Sequence, residues 1–230
     1  DRSYMDLRFV DYQDFPNKSA RMAFLDMLDP KTLSVGSEGG FGLSLEFTKG
    51  KNKPDTEWLS GNILRIKESK INNPLREEKL KKGQLFRLSH YYYDINGITM
   101  NDNRHLTIQD VNLYSTAGHA FLVYGDQQYW QFIRTNIVRP PNSKRPITCT
   151  ADHLHIGQSK GFLKIENCEF SLGNDDCLNI HDCSAYGKKE NERTISIDNL
   201  RSGDSYHPGD MIEFRTPDYA PTGIKLAMKK

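Results

Sequence analysis

Two short apolar patterns recur along the second half of this chain, and a chain that repeats itself in this way has few folds open to it. One reads Ile108-Gln-Asp-Val-Asn-Leu113, Phe132-Ile-Arg-Thr-Asn-Ile137 and Ile165-Glu-Asn-Cys-Glu-Phe170, with Ile195-Ser-Ile-Asp-Asn-Leu200 as a looser copy. The other reads Ala120-Phe-Leu-Val-Tyr-Gly125, Asp152-His-Leu-His-Ile-Gly157, Asp176-Cys-Leu-Asn-Ile-His181 and Asp210-Met-Ile-Glu-Phe-Arg215, in steps of 32, 24 and 34 residues. Each copy alternates as a strand does. One copy cannot bury its apolar face alone, so the copies are expected to stack in parallel as coils around a common core.

Stacking the second pattern predicts two inward lines, Leu122-Leu154-Leu178-Ile212 and Tyr124-Ile156-Ile180-Phe214. Outward, it predicts Val123, His155, Asn179 and Glu213 on one line and Gly125, Gly157, His181 and Arg215 on another. The same stacking makes Asp152 and Asp176 neighbours at a strand spacing of about 4.8 Å, with Asp175 beside them and His119 one coil earlier at the register of Asp175. Three carboxylates on one surface are chemically informative. Like charges held close raise at least one pKa, which sets a protonated acid beside an ionised base. That pair is what glycoside hydrolysis requires. The competing reading is a polar turn at Gly173-Asn-Asp-Asp176 with Asp152 as a lone loop carboxylate. Asp152, His153, His155 and His181 could also be read as metal ligands, but a hydrolytic zinc site needs three convergent ligands and an open position. Neither a metal nor a cofactor is expected. His119, His155, Asn179, His181, Glu213 and Arg215 read instead as groups that hydrogen-bond sugar hydroxyls.

Asp152 on one coil and Asp175-Asp176 on the next, with Ile165-Glu-Asn-Cys-Glu-Phe170 between them, resembles the active-site signature of right-handed parallel β-helix glycosidases of the pectin-lyase-like type. Family 28 polygalacturonases share the layout, while the 23-residue step from Asp152 to Asp175 is more similar to glycoside hydrolase family 110, whose members are inverting α-1,3-galactosidases. The resemblance spans about residues 84–216 and is sharpest over 149–181. Thr150-Ala151 and the short chain depart from that family's pattern. The resemblance implies removal of terminal galactose from an oligosaccharide or polysaccharide, with Asp175 as general acid and Asp152 with Asp176 as the base that activates water. A polygalacturonase-like endo-hydrolase, a polysaccharide lyase, and a catalytically silent carbohydrate-binding β-helix are the alternatives. Equal register favours a separation near 5 Å, which suits retention, whereas inversion wants about 6.5–9.5 Å.

Lys+Arg 31 nearly cancels Asp+Glu 30, so no overall basic field attracts nucleic acid or an anionic membrane. No apolar run has the length of a membrane span. A secreted or periplasmic protein without its leader is expected. Residues 1–83 read as a less regular β-rich segment and 84–230 as the β-helix, although Ser19 to Leu28 would also suit one or two helical turns. Strands are predicted at Tyr4 to Val10, Phe41 to Phe47, Gly61 to Ile66 and Gly83 to Leu88. Cys149, Cys168, Cys177 and Cys183 match no paired zinc spacing and read as free thiols, with a Cys177–Cys183 bridge as the alternative for an exported protein. About four coils are visible, and an open end exposes unpaired edges. Further coils, a cap or an oligomer partner are therefore expected to cover it.

Overall fold

A computed structural model describes residues 4–45, 55–67, 78–182, 184–198 and 206–229. The fold is all-β, and among the described residues there is no helix. The first part holds β1 (Tyr4–Arg8), β2 (Phe24–Met27), β3 (Gly42–Ser44), β4 (Thr56–Ser60), β5 (Ile63–Lys67) and β6 (Phe86–Ser89). They form two antiparallel sheets, ordered β1-β5-β4 and β3-β2-β6. Within Ser19 to Leu28 the structure forms strand β2 at Phe24–Met27 and no helical turn, because Leu25 and Leu64 fill a shared core with Phe15, Leu43 and Ile66. Strand β6 lies past residue 83 in sequence but pairs with β2. Residues 46–54, which include the end of the strand expected at Phe41 to Phe47, lie outside the described residues.

The middle of the chain builds parallel ladders from β7 (Ile98–Asn101), β8 (Arg104–Gln109), β9 (Asn112–Leu113), β10 (Phe121–Tyr124), β11 (Gln128–Ile133), β12 (Asn136–Ile137), β13 (Leu154–Gly157), β14 (Gly161–Glu166) and β15 (Leu178–His181). Their orders are β15-β13-β10-β7, β14-β11-β8 and β12-β9. The first pattern pairs as its sequence predicts: Phe132 lies between Ile108 and Ile165, and Ile137 between Leu113 and Phe170. Met100, Phe121, Val123, Trp130, Phe132, Ile137, Leu154 and Ile156 form the core these ladders enclose. Burying each such side chain contributes roughly 1.5–3 kcal/mol.

The rungs step unevenly. Leu113 to Ile137 is 24 residues and Thr116 to Cys149 is 33, so 33 less 24 leaves nine extra residues between Ile137 and Cys149. This insertion lies immediately before Asp152. The corners repeat as faithfully as the rungs. Asp102, Gly125 and Gln158 at one corner, His105, Tyr129 and Phe162 at a second, and Asp110, Arg134 and Asn167 at a third all adopt positive φ. At Gly125 the requirement is also steric, since a Cβ would lie 2.2 Å from Asp102 Oδ1.

Three sequence expectations are corrected here. Strand β10 sits one residue out of the predicted phase: Phe121 pairs with Leu154 and Val123 with Ile156, so Phe121 and Val123 enter the core while Leu122 and Tyr124 face outward. The fourth rung of this ladder is β7, not residues 210–215. Strand β18 (Met211–Arg215) pairs antiparallel with β19 (Pro221–Ala227), closed by a turn in which Thr216 N donates to Ala220 O. Likewise β17 (Ile195–Asp198) pairs antiparallel with β16 (Tyr186–Lys189) and adds no parallel rung. A Pro-Asp turn between two alternating runs is a hairpin signal that the sequence contained.

The ladder ends at β15, where Leu178 and Ile180 share the register of Leu154 and Ile156 yet are 44% and 61% exposed. Residues 206–210 return to the ladders through Lys160 Nζ to Asp210 Oδ2 at 2.7 Å and through His207 to Asp126. Cys149, Cys168 and Cys177 are free thiols, and Cys183 lies outside the described residues. Burial pushes the Cys149 thiol up to about 12, which leaves it inert at neutral pH.

Candidate active site

Asp152 stands two residues before β13, in a register that continues to Asp176 two residues before β15. On the other side that register continues to His119, two residues before β10. His119 therefore shares the register of Asp152, not that of Asp175, as a consequence of the phase shift in β10. One oxygen from each of Asp152, Asp175 and Asp176 lies within 4.8 Å of the others. The surroundings of the three differ. Asp152 is 2% exposed, while Asp175 and Asp176 are open to solvent.

Buried carboxylates need partners, and Asp152 has hydrogen-bond partners on β13 and β15. Its Oδ2 accepts from His155 Nδ1 at 2.6 Å and from Asn179 Nδ2 at 3.3 Å. His119 Nδ1 stands 3.6 Å from the same oxygen, buried and without a hydrogen-bond partner. His155 and Asn179 are paired rungs, and His181 closes the row, with its Nε2 3.0 Å from His155 Nε2. Tyr124 ends on this outward face over Gly157, where a Cβ would lie 2.6 Å from Tyr124 Cε1 and 3.4 Å from His181 Cε1. The sequence reading, which put Tyr124 in the core, missed it.

Asp175 is held from the N-terminal side. Tyr93 OH donates to Asp175 Oδ2 at 2.6 Å, and Asp175 Oδ1 accepts from the Asp176 amide at 3.1 Å. Tyr93 is the last of three consecutive tyrosines; it has a φ of 55°, and its ring meets that of Tyr92 edge-on at 88°. Burial, then the bond to Asp175, raise its pKa well above the ordinary tyrosine value, so it remains a donor. Next to Asp175, Asn174 Oδ1 accepts from Arg87 Nη2 on β6, and the same guanidinium binds Asp26 on β2. No short-range pattern announces Tyr93 or Arg87, which are 82 and 87 residues from their partners.

Of the other expected site residues, Glu213 and Arg215 do not reach this row. On β18 they pair with each other at 3.1 Å, and Arg215 Nη1 also donates to Tyr219 O. His153, a metal-ligand candidate in the sequence, is 4% exposed and contacts Ser171 O at 3.1 Å and the Phe170 ring at 6.0 Å. His119, Asp152 and His155 have atoms close enough to share a cation, as do the three aspartates. In the first set a cation would have to displace the proton between His155 and Asp152. A cleft of about 290 Å³ elsewhere, lined by His105, Tyr129, Phe162 and Lys164, contains none of these aspartates. Its rings stack on one another at 11° and 9°.

Burial pushes the pKa of His119 and His153 below the ordinary histidine value. It is the largest influence lowering both; the charge of His155 lowers His119 further, while Asp152 opposes the shift at both residues. A lowered folded-state pKa means that the unfolded chain binds protons more readily. The contribution is therefore complete above the ordinary histidine value of 6.5 and is lost as pH falls below it. Urea unfolding free energy should drop between pH 7 and 5 by up to about 1.4 kcal/mol per pH unit for each histidine. His153→Gln should flatten the slope; an unchanged slope in that variant would remove His153 from the account.

Comparison with known proteins gives one relative of note. The chain is 26% identical over 215 residues to "Alpha-1,3-galactosidase B" of Akkermansia muciniphila, an alignment covering 85% of this chain and 26% of the relative. The chain thus spans about a quarter of the length of the curated relative it matches. No family model matches it.

Proposed function

We propose that the three parallel ladders are the faces of a right-handed parallel β-helix, and that this chain carries the catalytic part of a glycosidase that removes terminal α-linked galactose. The observation that carries the reading is the approach of Asp152, Asp175 and Asp176 to within 4.8 Å from two successive rungs. Similarity to a relative named as an α-1,3-galactosidase supports the choice of sugar, and the resemblance to glycoside hydrolase family 110 agrees with it.

Asp175, exposed and fixed by Tyr93, protonates the glycosidic oxygen. Asp152 and Asp176, on neighbouring rungs, hold and deprotonate the attacking water. His155 and Asn179 already bind Asp152, so their first task is to aim that carboxylate. Tyr124 supplies a ring against which the sugar can lie. The family resemblance implies inversion, whereas a spacing within 4.8 Å is closer to the retaining geometry of about 5–5.5 Å.

The test is a panel of chromogenic α- and β-glycosides, with the first-formed product followed by NMR. Hydrolysis of α-galactosides with β-galactose appearing first is the expected result. Initial α-galactose would replace the activated water with a carboxylate nucleophile. Sugar binding without turnover of any member would sink the enzymatic reading.

A further inference from the structure

We infer that Asp152, His155 and His181 form one hydrogen-bonded unit holding three protons, in which His181 is a positioning residue that acts on Asp152 through His155. The inference rests on the glycosidase reading only for its kinetic consequence; the proton count stands on geometry alone.

Three contacts run in series. Asp152 Oδ2 is 2.6 Å from His155 Nδ1, His155 Nε2 is 3.0 Å from His181 Nε2, and His181 Nδ1 is 3.1 Å from Asp182 O. Each contact requires one proton. A carbonyl oxygen only accepts, so His181 Nδ1 carries a proton. The two Nε2 atoms cannot face each other without a proton between them, and neither can the carboxylate and Nδ1. Two neutral imidazoles hold two protons, so filling all three contacts takes one more. Wherever each proton resides, an ionised carboxylate with two rings and three protons has no net charge. One positive charge is therefore spread over His155 and His181 while Asp152 is ionised.

The surroundings require such a charge. Asp152 is 2% exposed, and among the described residues its ion-pair partners are histidines, with no Lys or Arg at hand. An ionised carboxylate that deep needs compensation. The groups facing His155 are Asp152 and Asn179, His119 with rings 4.5 Å apart, Tyr124 at 6.0 Å and His181 at 4.9 Å. His119 does not compete for the charge, since burial first and the neighbouring His155 second lower its pKa. The arrangement leaves Oδ2 fully engaged, so water at this carboxylate meets the other oxygen.

The proton count is tested on the full chain without substrate, by NMR of ¹⁵N-histidine-labelled protein at neutral pH. The expected result is protonated Nδ1 on both rings with a single proton shared between the Nε2 atoms, and loss of that shared proton in Asp152→Asn. Two neutral rings, or an unprotonated Nδ1 on either, would overturn the inference, whether or not the protein hydrolyses galactosides. The positioning role is tested by kinetics. His181→Phe should lower kcat by about 10-fold or more with KM nearly unchanged, because a misaimed group costs rate. His181→Gln, whose amide oxygen can accept from His155 Nε2, should restore most of kcat. A rise in KM with kcat preserved would make His181 a sugar contact and refute the positioning role.

Discussion

Asp175→Asn is expected to lower kcat on an α-galactoside with a poor leaving group by about 10²–10⁴-fold, the usual contribution of a positioned acid. The substitution keeps the shape of the side chain, and its amide oxygen can still accept from Tyr93 OH, which now stands 2.6 Å from Asp175 Oδ2. A collapse of the site is therefore not the expected cause. The leaving group distinguishes the roles. An activated leaving group such as fluoride needs no proton, so Asp175→Asn should recover much of its rate there. Asp152→Asn should lose activity on both substrates because it disables the water. Equal losses for Asp175→Asn on both substrates would take the acid role from Asp175, and no loss on either would end the carboxylate mechanism.

The second large effect is expected at Arg87→Met, at roughly 3–5 kcal/mol of stability, the range for removing one partner of a buried ion pair. Arg87 is 3% exposed and joins Asp26 of the N-terminal sheet to Asn174, the neighbour of Asp175. Without the guanidinium, Asp26 keeps a charge whose side chain is only 16% exposed. Adding Asp26→Leu removes that charge, so the double variant should regain most of the unfolding free energy. It should not regain activity, because Asn174 is still unanchored beside Asp175. Full recovery of activity in the double variant would show that Arg87 serves stability alone. Denaturant unfolding with kcat measured on the folded fraction gives both values.

Much of this arrangement was legible in the residues. The pattern through Ile108, Phe132 and Ile165 set its own register because each copy offers polar positions that fix the phase. Asp152 and Asp176 followed for the same reason, since Leu154-His-Ile156 and Leu178-Asn-Ile180 alternate cleanly. Strand β10 gave no such phase. Ala120 to Tyr124 is apolar throughout, so either alternate set could enter the core. The larger Phe121 and the smaller Val123 took those places beside Leu154 and Ile156, which moved His119 to Asp152 and Tyr124 to the open face. Met211 to Arg215 shows the converse error: its alternation fitted the parallel ladder, but the nearby Thr-Pro-Asp turn gave it an antiparallel partner.

By itself, then, the sequence determined an all-β fold, the rungs around Ile108, Phe132, Leu154, Ile165 and Leu178, and that Asp152 and the Asp175-Asp176 pair share one surface. A side chain's alternation is a local property that survives in the linear order. Only the tertiary structure decided the phase of β10, the place of β7 and the hairpins at β16-β17 and β18-β19, and which distant groups surround those carboxylates. Tyr93 and Arg87 reach Asp175 and Asn174 across 82 and 87 residues. Those contacts depend on how the N-terminal sheets lie against the ladders, a matter of three-dimensional packing that no periodicity along the chain encodes.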